Sequence, residues 1–133
     1  MATTTRNEAK SSPLLSWAIR GNAWFSFLTG GILLVGAPWL TDVLGPTAWS
    51  LAGVGSGVLA FGLSLRRGLA KDPVATGRFA VIADVAWVLA TVALAPIVAG
   101  SFTAVGAWVA VTIAIIVADF AILQWVGVRR ALA

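Results

Sequence analysis

Few side chains in this sequence are equipped for chemistry, and the two that stand out are carboxylates set inside apolar runs. These are Asp84 and Asp119, with Asn22, Thr112 and Gln124 as neutral polar company. A carboxylate at the centre of a bilayer costs about 2.5–3.5 kcal/mol on insertion scales, so each must face a bundle interior or a watery cavity. Asp84 lies six residues past Arg78, roughly 9 Å in from that basic boundary if the segment is helical. Asp119 precedes Arg129 by ten residues, roughly 15 Å in. Arg20 falls at a depth similar to that of Asp84, so an Arg20–Asp84 ion pair is the structural expectation for both. Asp119 has no basic residue at its depth. It is then protonated, hydrogen-bonded to Asn22 or to Thr112 on its own helix face, or part of a proton- or cation-linked path. Asp119 and Asp84 are therefore the candidate ion or proton site, with Arg20, Asn22, Thr112 and Gln124 as intramembrane partners.

The missing residue types narrow the chemistry further. The chain has no Cys and no His. That removes disulfides, thiolate chemistry, zinc–thiolate sites, bis-histidine haem and every histidine general base. No metal site and no cofactor is expected. Ser26, Ser56 and Ser64 have no neighbouring base to activate them. Gly53-Val54-Gly55-Ser56-Gly57 resembles a fragment of a nucleotide-binding loop but sits inside an apolar run rather than after a strand. An enzyme is not expected.

What must position these few polar groups is almost entirely apolar. Of 133 residues, 59% are hydrophobic and 11% charged, and the mean hydropathy is +0.96. Soluble domains run nearer half apolar and a quarter charged. Four long apolar segments span about 21–40, 48–65, 79–100 and 105–128. Each falls within the roughly 17 to 25 residues that a helix needs to cross a hydrocarbon core of about 30 Å, the second near the short limit. Helix is the state that satisfies their backbone in lipid, and the runs lack the alternation of a membrane β-barrel. Residues 1–13 read as a polar tail; a signal peptide fits poorly, because the first apolar run is long and three more follow. The expectation is an all-α integral membrane four-helix bundle over residues 14–133.

Charge placement gives that bundle an orientation. The nine basic residues lie in the N-terminal region (Arg6, Lys10, Arg20), in the 66–78 segment (Arg66, Arg67, Lys71, Arg78) and at Arg129 and Arg130. The other two connections carry no Lys or Arg. The positive-inside rule places both termini and the middle loop in the cytoplasm. The basic residues are dispersed, without the aromatic interleaving of a single-strand nucleic-acid groove, so the net +4 charge reads as topology and no nucleic acid is expected.

The chain also matches itself. Ala23-Trp24 recurs as Ala86-Trp87, and Arg66-Arg67-Gly68-Leu69-Ala70 as Arg129-Arg130-Ala131-Leu132-Ala133, both 63 positions on. Two tandem hairpins of the same sense imply a pseudo-twofold axis along the membrane normal. Ala52, Ser56, Ala60 and Ser64 form a row at four-residue spacing flanked by Gly53 and Gly57, which suits close helix packing within the bundle or against a second protomer. Trp39, Trp49 and Trp108 near one end and Trp17 and Trp125 near the other fit interfacial anchors; an aromatic cage for a cation is the lesser reading.

Arg20-Gly21-Asn22-Ala23-Trp24, Ala83-Asp84-Val85-Ala86-Trp87 and Ala118-Asp119-Phe120-Ala121-Ile122-Leu123-Gln124, with the Arg129-Arg130 ending, give the chain its character. In these it resembles small four-span integral membrane proteins of high-GC bacteria, a family with no established activity to transfer. The resemblance implies a multi-pass protein of the bacterial cytoplasmic membrane. Small multidrug exporters are similar in size and span number, but they carry an essential Glu in the first span, where this chain has only Arg20 and Asn22. Two functions fit. One is a structural or accessory subunit, whose partners are the lipid bilayer and a larger membrane complex or a second copy. The other is a small homo-oligomeric transporter or channel with a proton- or cation-linked path at Asp119 and Asp84. The scarcity of polar groups favours the first.

Overall fold

Four short polar signals decide where the helices begin. Ser12-Pro13, Thr47, Asp72-Pro73 and Thr103 each place a side-chain oxygen ahead of a helix, where it accepts from a backbone N–H that has no partner inside the helix. In the computed structural model, which describes residues 12–133, the outcome is α1 (Pro13–Leu44), α2 (Ala48–Lys71), α3 (Pro73–Val98) and α4 (Ala104–Leu132). A 3-10 turn, Ala99–Ser101, joins the last two. The expected polar tail lies outside the described residues, apart from Ser12 and from Pro13, which is the first residue of α1.

All four helices are long and apolar enough to cross a membrane, and the chain is a multi-pass membrane protein with an all-α four-helix bundle. The helices outrun their apolar cores. α1 has 32 residues, about 48 Å at 1.5 Å per residue. α2 carries Arg66, Arg67 and Lys71 through its last turns, and α4 ends on Arg129 and Arg130. Cations at a helix C-terminus complement its dipole, so the charged ends stay helical. Asp72 is shared between two helices. Its N–H donates to Gly68 O at 2.8 Å as α2 ends, and its Oδ1 accepts from Ala75 N at 3.0 Å as α3 begins.

The helices run alternately up and down as two successive hairpins, α1–α2 and α3–α4, so both termini of the bundle share one end. α1 packs along both α2 and α4, and α3 packs on α4, whereas α2 and α3 touch only sparsely. α2 and α3 meet near their shared turn, where Gly68 abuts Thr76 and the Phe61 and Phe79 rings lie 5.9 Å apart. Beyond that the outer half of α3 is almost wholly exposed.

The α1–α2 seam is the most extensive in the molecule. A Cβ on Gly55 would lie 2.7 Å from Leu34 N and 2.8 Å from Gly30 O, so these backbones approach as closely as only glycine permits. Leu51, Gly55, Gly62 and Leu65 form the buried face of α2. The row read from the sequence is therefore not the packing face of α2 within the chain. Gly53, Ser56, Gly57, Ala60 and Ser64 are exposed and Ala52 is half-buried. A Cβ on Gly53 or Gly57 would meet nothing within 4 Å, and Ser56 and Ser64 turn back to Ala52 O and Ala60 O, both at 2.8 Å.

Two apolar clusters close the bundle. Leu15, Ile19, Ala23, Leu65, Ala80, Val128 and Ala131 fill the end that carries the termini. Ala37, Leu44 and Leu51 fill the other. At that far end Gly45 adopts φ +107°, a left-handed conformation suited to glycine. This turn lets Leu44 O accept from Thr103 N at 3.0 Å, tying one hairpin's connection to the other's. Trp39, Trp49 and Trp108 are 72%, 90% and 72% exposed near this end, and Trp17 and Trp125 are exposed near the opposite one, the placement of two interfacial belts.

Candidate intramembrane polar site

Asn22 sits on the inward face of α1, and Asp84 on the one face of α3 that reaches the interior. They are 1% and 3% exposed. Asn22 Nδ2 donates to Asp84 Oδ2 at 2.7 Å, a short bond across two helices of the kind an ionised acceptor strengthens. One turn further along α1, Ser26 Oγ donates to Asn22 Oδ1 at 3.4 Å. Gln124 of α4, fully buried, borders the same carboxyl, yet neither its amide nitrogen nor its oxygen has a hydrogen-bond partner. Three helices thus deliver four polar side chains to one point. No basic side chain bears on Asp84 among the described residues.

Beside this cluster lies a cavity of about 310 Å³. Asn22, Ser26, Thr29 and Asp84 are its polar lining, and Phe25, Phe61 and Trp87 stand among its apolar walls. Its rim includes Val54 and Gly57 of α2 and Trp87 of α3, all exposed on the bundle surface. All four helices line the hollow, and it opens at the surface between α2 and α3, which touch only sparsely. Chemically it offers the Asp84 carboxyl, the Asn22 amide, the Ser26 and Thr29 hydroxyls and three aromatic rings. A carboxylate and ring faces both attract cations.

The polar residues singled out from the sequence separate into two groups. Asn22, Asp84 and Gln124 converge. Arg20 does not: it is exposed on the outward side of α1, and the expected Arg20–Asp84 pair is replaced by Asn22–Asp84. The depth was right and the azimuth wrong, since residues 20 and 22 point about 200° apart on a helix. Asp119 is likewise exposed, about 140° around α4 from Gln124, so Asp84 and Asp119 share no site within one chain. Thr112 is exposed, and its hydroxyl donates to Trp108 O at 2.8 Å. Neither Asn22 nor Thr112 bonds to Asp119.

Ser26, Phe25, Phe61 and Trp87 belong to the site and were not foreseen. Ser26 follows Asn22 by one turn, a spacing visible in the sequence. The three aromatics carry no signal that separates a cavity wall from a lipid-facing ring. Among the described residues no three His, Cys, Asp or Glu side chains gather where they could hold a metal ion. Comparison with protein-family models, with curated proteins and with solved structures finds no match for this chain.

Proposed function

We propose that the chain binds a small organic cation in the intramembrane cavity beside Asp84, and that this binding, in exchange with a proton, serves a transport or carrier role. The observation that carries the reading is a buried carboxyl with no basic partner at the edge of an aromatic-walled cavity. A buried charge needs a counter-charge, and here a proton and a cationic ligand compete for one group. Asn22 holds the carboxyl in place, Ser26 and Thr29 line the cavity beside it, and Phe25, Phe61 and Trp87 supply aromatic rings for an alkylammonium. The clustering of basic residues at the end with the termini supports a cytoplasmic location for that end in a bacterial inner membrane.

The test is equilibrium binding of benzyltrimethylammonium to the protein in lipid nanodiscs. The expected result is saturable binding that weakens as pH falls, drops at least tenfold in Asp84→Asn, and persists in Asp119→Asn. Asn at position 84 keeps a hydrogen bond with Asn22, so the fold survives. Absence of binding to the wild type, or equal binding by Asp84→Asn, refutes the reading.

The accessory-subunit reading has one observation of its own, the exposed small-residue face of α2. A stoichiometric larger protein co-extracted in mild detergent, and lost in Gly53→Leu, would support it over the carrier reading.

A further inference from the structure

Arg20 and Asp119 are charged residues that point out of the bundle on the adjoining helices α1 and α4, and their placement is correlated; Arg66, exposed at the level of Arg20, lies on α2, away from this face. A Cβ on Gly21 would lie 3.1 Å from the Phe120 ring, so Gly21 and Phe120 stand at one level of the antiparallel α1–α4 seam. Ser12 Oγ donates to Gly127 O at 3.3 Å, which fixes the same register lower down. Arg20 is one residue nearer the termini than Gly21, and Asp119 one residue nearer the far end than Phe120. Their levels therefore differ by about 3 Å at 1.5 Å per residue, well within the reach of an arginine stem. Both are exposed, on adjoining helices, and among the described residues they make no ion pair with each other.

The faces around them are apolar. Trp17 and Trp24 flank Arg20 at one turn on α1, 64% and 63% exposed, and Ile115 and Ile122 flank Asp119 on α4, 58% and 60% exposed. An isolated carboxylate in contact with lipid is the costly arrangement, and an opposite charge at its depth removes that cost. We propose that two copies of this chain associate through the outward face of α1 and α4 about a twofold axis along the membrane normal, with Arg20 of each copy paired to Asp119 of the other. Such an axis brings α1 of one copy opposite α4 of its mate and leaves every residue at its own depth. A twofold interface is self-complementary, so a contact from residue i to j is repeated from j to i. For charged residues on such a face, opposite signs at nearly the same depth meet that rule, and Arg20 and Asp119, about 3 Å apart in level, do.

The test uses charge reversal in liposomes, with subunits counted by single-molecule photobleaching or energy transfer at controlled lipid dilution. Wild type is expected to be dimeric. Arg20→Asp copies present two acids and Asp119→Arg copies two arginines, so each alone is expected to be monomeric at dilutions where the wild type pairs. Mixed in equal amounts they are expected to form heterodimers, because both reciprocal pairs are then restored. Pairing within one chain cannot produce that rescue. Should a reversed variant fail to insert, Arg20→Gln and Asp119→Asn are expected to weaken dimerisation at least tenfold. Trp24→Cys mixed with Ile115→Cys, in a chain with no native cysteine, is then expected to cross-link between copies. A monomeric wild type, neutral variants that dimerise as well as wild type, or well-folded reversed variants that do not rescue each other, each overturns the proposal.

Discussion

Replacing both Asn22 and Asp84 by leucine distinguishes a polar cluster kept for stability from one kept for binding. The two side chains are 1% and 3% exposed and 2.7 Å apart, so water does not compensate the loss of either one. Asn22→Leu alone leaves the carboxyl without its donor. Interhelical hydrogen bonds in membranes couple by about 0.6 kcal/mol on average and up to about 1.7 kcal/mol. A short bond to a carboxyl, shielded from water, belongs near the upper figure. A loss of about 1.5 kcal/mol, a little over tenfold in the unfolding constant, is expected for that variant. Asp84→Leu alone leaves Asn22 without its acceptor and is expected to cost a similar amount. The double leucine variant leaves neither group unpaired and is therefore expected to be at least as stable as wild type, in line with the behaviour of buried polar pairs replaced by apolar ones. The assay is reversible unfolding in bicelles followed by tryptophan fluorescence, with the four proteins of the cycle measured together. A double variant less stable than wild type by more than 1 kcal/mol refutes the reasoning, because the cluster would then hold the bundle together.

Three further outcomes follow from the packing and the charge pattern. Gly55→Leu is expected to destabilise the bundle by at least about 1–3 kcal/mol, since even a Cβ there lies 2.7 Å from the Leu34 backbone; Gly53→Leu, with nothing within 4 Å, is expected to stay within about 0.5 kcal/mol of wild type, and the same unfolding assay checks both. Leu15→Ala, at 0% exposure, is expected to lose about 2–5 kcal/mol, against less than about 0.5 kcal/mol for Trp49→Ala at 90% exposure. Single cysteines at Thr47 and at Ala70 in the cysteine-free chain are expected to react with impermeant maleimide from opposite sides of intact cells, Thr47 from outside, as the distribution of arginines requires.

Hydropathy made the four helices legible, because lipid demands an unbroken apolar run from every span. Helix ends were less legible, since α1 begins eight residues before its apolar stretch and α2 carries three basic residues through its last turns. Azimuth was the larger difficulty. Outside a bilayer helix lies lipid and inside lies protein, both apolar, so periodicity does not announce the inner face. On α2 nearly every position is small. The row Ala52, Ser56, Ala60, Ser64 and the buried face through Gly55 and Gly62 are equally plausible in sequence, and the neighbouring Gly30 decides between them. Aligning the two hairpins placed Arg20 level with Asp84. It did not show that Asn22, two positions on, faces inward while Arg20 faces out.

For the carrier role proposed above, the divergence of α2 from α3 also sets the route by which a guest would arrive. The rim at Val54, Gly57 and Trp87 opens sideways, toward the acyl chains, with the apolar clusters closing the bundle at either end. A solute entering there has first dissolved in the bilayer, so the concentration that fills the cavity is the one in the lipid phase. Affinity expressed against the aqueous concentration then contains the solute's own partition coefficient. Two ammonium compounds that fit equally well should rank by oil–water distribution, and diluting the protein with more lipid should weaken apparent binding with no change at Asp84.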